Sequence, residues 1–153
     1  MHALELKIPP PVWAAVFAAI AYGIGVLEPG LEFTVSSPLL GIGIAIIGVV
    51  IAAFAVIDVR GEGTTIDPHH PEAASVLVQK GVYRFTRNPM YLGLALVIAG
   101  IAVGHGDIIA TIVGVGGFTT VITRLQIIPE ERALRARFGS QYDEYCDGPR
   151  RWI

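Results

Sequence analysis

The stretch 38–57, PLLGIGIAIIGVVIAAFAVI, carries no charged side chain over its whole length. As a helix it is long enough for the ~30 Å hydrocarbon core of a bilayer, which takes about 20 apolar residues. A soluble α/β protein also has valine- and glycine-rich segments, but buried strands run only about 4 to 8 residues. Pro38 stands at the start of the run, where a helix tolerates proline. Gly41, Ala45 and Gly48 then recur at intervals of four and three. Small residues thus share one face, and the pattern predicts a tight contact with a second helix.

The same character extends in both directions. A first apolar segment covers 12–27, with Trp13 and Tyr22 near its ends, where amphipathic rings favour the interface. Pro9, Pro10 and Pro11 precede it, and Glu28, Pro29 and Gly30 end it; Glu32 keeps the next loop polar. Further apolar segments follow it without a convincing cleavage signature, so it is expected to be a retained helix. A third span is expected over 89–103, with Asn88 as its cap and Pro89 as its first residue. His105, Gly106 and Asp107 make a short turn into a fourth span over 108–128. Arg124 lies in the last turn of that span, placed to snorkel to the interface or to face a pocket. The composition agrees: 53% of residues are hydrophobic, 16% are charged, and 18 are glycine. The reading is an all-α polytopic membrane protein of one domain. It has four transmembrane helices, a cytoplasmic loop over 58–88, and a C-terminal amphipathic helix within 129–153 that is expected to form a pocket with the loop.

Charge placement sets the expected orientation. The segment between spans two and three holds Arg60, Lys80, Arg84 and Arg87, and the tail holds Arg132, Arg135, Arg137, Arg150 and Arg151. The other two loops hold no lysine or arginine. The positive-inside rule therefore places both termini and the middle loop in the cytoplasm, and a bacterial inner membrane is the expected setting. Within the middle loop, Glu72 to Gln79 suit a short helix closed by Gly81. In the tail, Leu134, Phe138, Tyr142 and Tyr145 share a helical face that Gly139 can divide in two. Trp152 suits an interfacial anchor.

Two polar clusters converge on that side. One is the run from Gly81 through Tyr83, Arg84, Arg87, Asn88, Pro89 and Tyr91 to Gly93; the other is Pro129-Glu130-Glu131-Arg132. A hairpin of spans three and four brings them together. Arginines beside a span also fix topology, and acids after a proline also suit the first turn of a helix. The sequence has no serine elbow, no phosphate-binding loop leading to lysine and no zincin motif. The single cysteine, Cys146, excludes an internal disulfide. His69 and His70, beside Asp67, form no familiar metal set. No acid or lysine sits at mid-membrane to mark an ion path. The residues alone imply a cytoplasm-facing polar site with access to lipid.

The motif Gly81-Val82-Tyr83-Arg84-Phe85-Thr86-Arg87-Asn88-Pro89-Met90-Tyr91-Leu92-Gly93 resembles the isoprenylcysteine carboxyl methyltransferase family and related phospholipid methyltransferases. So do Thr64-Thr65 through Pro68, Leu77-Val78, Ile128-Pro129-Glu130-Glu131-Arg132, and the later Phe138-Gly139, Tyr142, Tyr145 and Arg150-Arg151-Trp152. The likeness covers about the last 90 residues. It implies methyl transfer from S-adenosylmethionine to a lipophilic acceptor entering from the bilayer. By the same likeness, cofactor contacts fall to Tyr83, Arg84, Asn88, Pro89, Tyr91, Glu130 and Glu131. Catalytic contributions fall to Arg87, Glu131 and Arg124; Arg124 or Arg135 would orient an acceptor carboxylate. Asn88 departs from the family's histidine, and an amide hydrogen-bonds without titrating near neutral pH. Membrane lipids are the expected partners and nucleic acid is not; the oligomeric state is open. An NADPH-dependent membrane reductase resembling the steroid 5-alpha reductases, and a non-enzymatic membrane partner, are the alternatives.

Overall fold

The computed structural model describes residues 5–27, 37–65, 67 and 70–153. The readings made for Glu28 to Glu32, Pro68 and His69 lie outside the described residues. Helix α1 spans Pro10–Leu27, α2 Pro38–Gly61, α3 Pro89–His105, α4 Ile108–Phe138 and α5 Ser140–Cys146. No strand is present among the described residues; an isolated parallel bridge joins Thr86 to Arg150.

Three helices, α1, α2 and α4, are long and apolar enough to cross a membrane. The fourth expected span, α3, has 17 residues, about 26 Å at the helical rise. It is also the most enclosed, packing against α1, α2 and α4.

The contact read from Gly41, Ala45 and Gly48 is made with α3. A methyl group built on Gly41 would lie 2.5 Å from the Gly100 carbonyl oxygen, and one on Gly48 equally close to that of Gly93. The converse holds at Gly93 and Gly100, each of which meets the α2 backbone. The buried positions of α2 are Gly41, Gly48, Ala55 and Val59, while Ile42, Ile46, Val49 and Phe54 are exposed. Small residues inward and large ones outward is the arrangement of a helix whose outer solvent is lipid. The core of α1, α3 and α4 is built on Ala21, Ile98, Phe118 and Ile122, with Phe17 packed edge-on against Phe118.

Several local readings hold. The Ser37 hydroxyl accepts from Leu40 N–H ahead of Pro38. Gly106 adopts φ +74°, and the Asp107 carboxylate accepts from Ala110 N–H at 2.7 Å, closing the α3–α4 turn. Gly139, at φ +55°, separates α4 from α5.

Others are corrected. The expected helix over Glu72 to Gln79 is only a 3-10 turn, Pro71–Ala73. The Thr64 hydroxyl accepts from Ser75 N–H (2.9 Å) and Val76 N–H (3.4 Å), taking donors a helix would have used. Gly81, at φ +60°, opens a second 3-10 turn, Gly81–Arg84, against the Asp58 carboxylate, which accepts from Val82 N–H at 2.9 Å.

The fourth helix does not stop near Ile128. It continues through Pro129 to Phe138, with π turns at Ile112–Gly116 and Thr123–Ile127. Proline lacks the N–H that would bond the carbonyl four residues back, here that of Leu125. That carbonyl accepts from Leu6 N–H instead, at 3.0 Å. The N-terminal arm is held there further by Gln126 Nε2 donating to the Ile8 carbonyl and by the Arg132–Glu5 ion pair. Trp152 is partly buried and packs against the core.

Candidate functional site

At the Pro89 end of α3 lies a cavity of about 340 Å3. Its apolar lining includes Pro10 and Pro11 of α1, Val56 and Val59 of α2, and Met90 and Leu94 of α3. Its polar lining comes from Tyr83, Arg87, Asn88, Tyr91, Glu130 and Glu131, from Thr64, Thr65 and Asp67 of the middle loop, and from Tyr142 and Tyr145 of α5. The expected convergence of the two clusters is therefore present. Tyr83, Arg87, Asn88, Pro89, Tyr91, Glu130 and Glu131 all line one cavity.

The paired glutamates have different surroundings. Glu131 accepts from Arg151 through both carboxylate oxygens, Nε to Oε1 at 3.0 Å and Nη2 to Oε2 at 2.7 Å. Its Oε1 also accepts from Arg87 Nη2 at 3.3 Å. Paired guanidinium bonds of this kind fix a carboxylate in direction as well as in charge. Glu130 accepts one bond, from the Tyr91 hydroxyl at 2.9 Å, and pairs with no cation among the described residues.

The segment before α3 is tied to the tail. Arg87 N–H donates to the Arg150 carbonyl at 2.9 Å, and Arg87 Nη1 to those of Pro149 (2.7 Å) and Cys146 (3.4 Å). The Arg87 Nε donor is buried without a partner among the described residues. Asn88 occupies the cap position of α3, yet its side chain does not cap the helix; Nδ2 donates to the Arg151 carbonyl at 2.9 Å. The Tyr145 hydroxyl donates to the Tyr83 carbonyl. Burial pushes the Tyr83, Tyr142 and Tyr145 phenols well above the usual tyrosine range, so they are neutral donors at physiological pH.

Three sequence-read arginines lie elsewhere. Arg84 and Arg124 are exposed and do not line the cavity. Arg124 sits in the second π turn, which shifts the register that spacing alone gives. Arg135 pairs with Asp143 at 2.7 Å on the surface, over the Tyr142 ring. Conversely, Arg151, which the sequence places only among the tail charges and the terminal motif, is the main partner of Glu131. Spacing instead favours Arg135, four residues after Glu131, as its partner, so no local signal points to Arg151. His70 hydrogen-bonds Glu72 on the surface, and no group of three or more potential metal ligands occurs among the described residues.

A model of the phospholipid methyltransferase family matches residues 36–141. Two rice proteins, from Oryza sativa subsp. indica and subsp. japonica, each described as a probable protein-S-isoprenylcysteine O-methyltransferase, are 34% identical over 110 residues. The match takes in 70% of this chain and 56% of each rice protein, so the chain spans about half the length of these relatives. An uncharacterized Haemophilus influenzae protein is 38% identical over 64 residues, all of its length and 42% of this chain. The matched region contains α2, the arginine–asparagine–proline motif, α3 and the paired glutamates, and by that match the chain belongs to the phospholipid methyltransferase family of membrane proteins.

Proposed function

We propose that this chain transfers a methyl group from S-adenosylmethionine to a lipophilic acceptor at the cytoplasmic end of its helices. The observation that carries the reading is the mixed lining of one cavity, shared by the motif residues and by apolar residues of α1, α2 and α3. Four spans then cross the bilayer, α3 being short because the other helices surround it. The positive charges of the middle loop and tail support the cytoplasmic placement.

The polar lining fits the cofactor. The unpartnered Arg87 Nε is a buried donor suited to a carboxylate, and Glu130, paired with no cation among the described residues, suits an ammonium or sulfonium charge. When bound, S-adenosylmethionine supplies an electrophilic methyl group on a positively charged sulfur. Tyr91, which donates to Glu130, would hold that carboxylate for such a charge, and Tyr83 and Asn88, which line the same cavity, would help to bind the cofactor. The apolar lining holds the acceptor's hydrocarbon and keeps water out, so orientation in a dry site lowers the barrier.

Incubation of the purified protein with methyl-labelled S-adenosylmethionine and a bacterial lipid extract tests this. Label is expected in the solvent-extractable lipid. Label only in water-soluble products, or none from protein that binds the cofactor, would contradict a lipophilic acceptor.

A further inference from the structure

The segment 86–88 and the tail are joined chiefly by donors on the first and carbonyls on the second. Thr86 Oγ1 and Asn88 Nδ2 both donate to the Arg151 carbonyl, at 3.3 and 2.9 Å, beside the Arg87 bonds to Arg150 and Pro149. The residue whose carbonyl is gripped is the one whose guanidinium holds Glu131 at both oxygens. Asn88 is 8% exposed and its backbone N–H is taken by Thr86 Oγ1, so the amide is fixed in place.

We propose that Asn88 and Arg151 are a positioning pair. Asn88 sets the tail in register through the Arg151 carbonyl, and the register aims the Arg151 guanidinium at Glu131. Position 88 accordingly needs an N–H donor and not a base. Asparagine and histidine both carry a side-chain N–H donor, whereas aspartate offers only acceptors toward the carbonyl. Lysine at 151 keeps the charge but not the two parallel bonds. The inference deepens the proposed function, on which it rests for the role of Glu131 in holding the ligand.

The test combines two readouts on the full chain in detergent: titration with S-adenosylhomocysteine, and hydrogen exchange at the Arg87 amide, which the Arg150 carbonyl accepts. Asn88→Asp is expected to speed that exchange and weaken binding about tenfold, the scale of one hydrogen bond to a charged-group network. Arg151→Lys is expected to weaken binding similarly while the exchange stays slow. Asn88→His is expected to recover what Asn88→Asp loses, with the wild-type pH dependence of binding. Wild-type exchange and affinity in Asn88→Asp would overturn the pair, as would a new titration in Asn88→His controlling affinity. Should the wild type bind no S-adenosylhomocysteine, the proposed function falls, and the exchange data alone decide whether Asn88 registers the tail.

Discussion

Where α2 meets α3, two backbones approach because side chains are missing; at the polar end, distant segments approach because side chains reach for backbone and for each other. Gly41 and Gly48 face Gly100 and Gly93 with no room for a methyl group. Arg87, Asn88 and Arg151 instead make directed bonds across more than 60 residues of chain. The first contact tolerates no added atom and supplies rigidity. The second uses polar groups that each have one geometry and supplies a site. A membrane protein gains little from apolar attraction between helices, since lipid is equally apolar. Close packing therefore carries the frame, and hydrogen bonds carry the detail.

Substitution at the two regions should separate these roles. Gly100→Leu strikes the frame, since even a Cβ there meets the Gly41 carbonyl and Ala45. Overpacking of this severity costs about 3 kcal/mol or more, and thermal unfolding in detergent should show little folded protein. Glu131→Ala strikes the polar end and leaves Arg87 and Arg151 facing each other without their carboxylate. Without the carboxylate that orients them, both arginines lose their place in the cavity, and affinity for S-adenosylhomocysteine should fall ~100-fold, about 2.7 kcal/mol, while the helical circular dichroism persists. Tyr91→Phe removes one hydroxyl bond to Glu130, about 1 kcal/mol, and calorimetry should read a loss of five- to tenfold at about that energy. Arg124→Gln should change affinity by less than about twofold, as surface changes do, because Arg124 is exposed and outside the cavity. A large loss from Arg124→Gln would mean that the cavity does not mark the site.

The same contrast governs what the sequence discloses. Gly41, Ala45 and Gly48 announce their contact through spacing along a single helix, and Pro38 and the turn at Gly106-Asp107 announce helix ends through local backbone chemistry. The meeting of residues 87–91 with Glu130 and Glu131 follows from a hairpin of two helices, which length alone predicts. Arg151 on Glu131 and Asn88 on the Arg151 carbonyl depend on how a tail folds back, and no periodicity encodes that. The continuation of α4 through Pro129 is hidden for another reason. Proline ordinarily ends or kinks a helix, and here a π turn and the arm's Leu6 N–H absorb the missing bond. The failed helix after Glu72 is similar, because Thr64 claims its donors from across the loop.

Calorimetric titration of the detergent-solubilised chain with S-adenosylhomocysteine, with NADPH titrated in parallel, bears on the whole account. Micromolar binding of S-adenosylhomocysteine, lost in Glu131→Ala, and no binding of NADPH is the predicted result. Binding of NADPH alone, or of neither compound to a sample with intact helices, would contradict it.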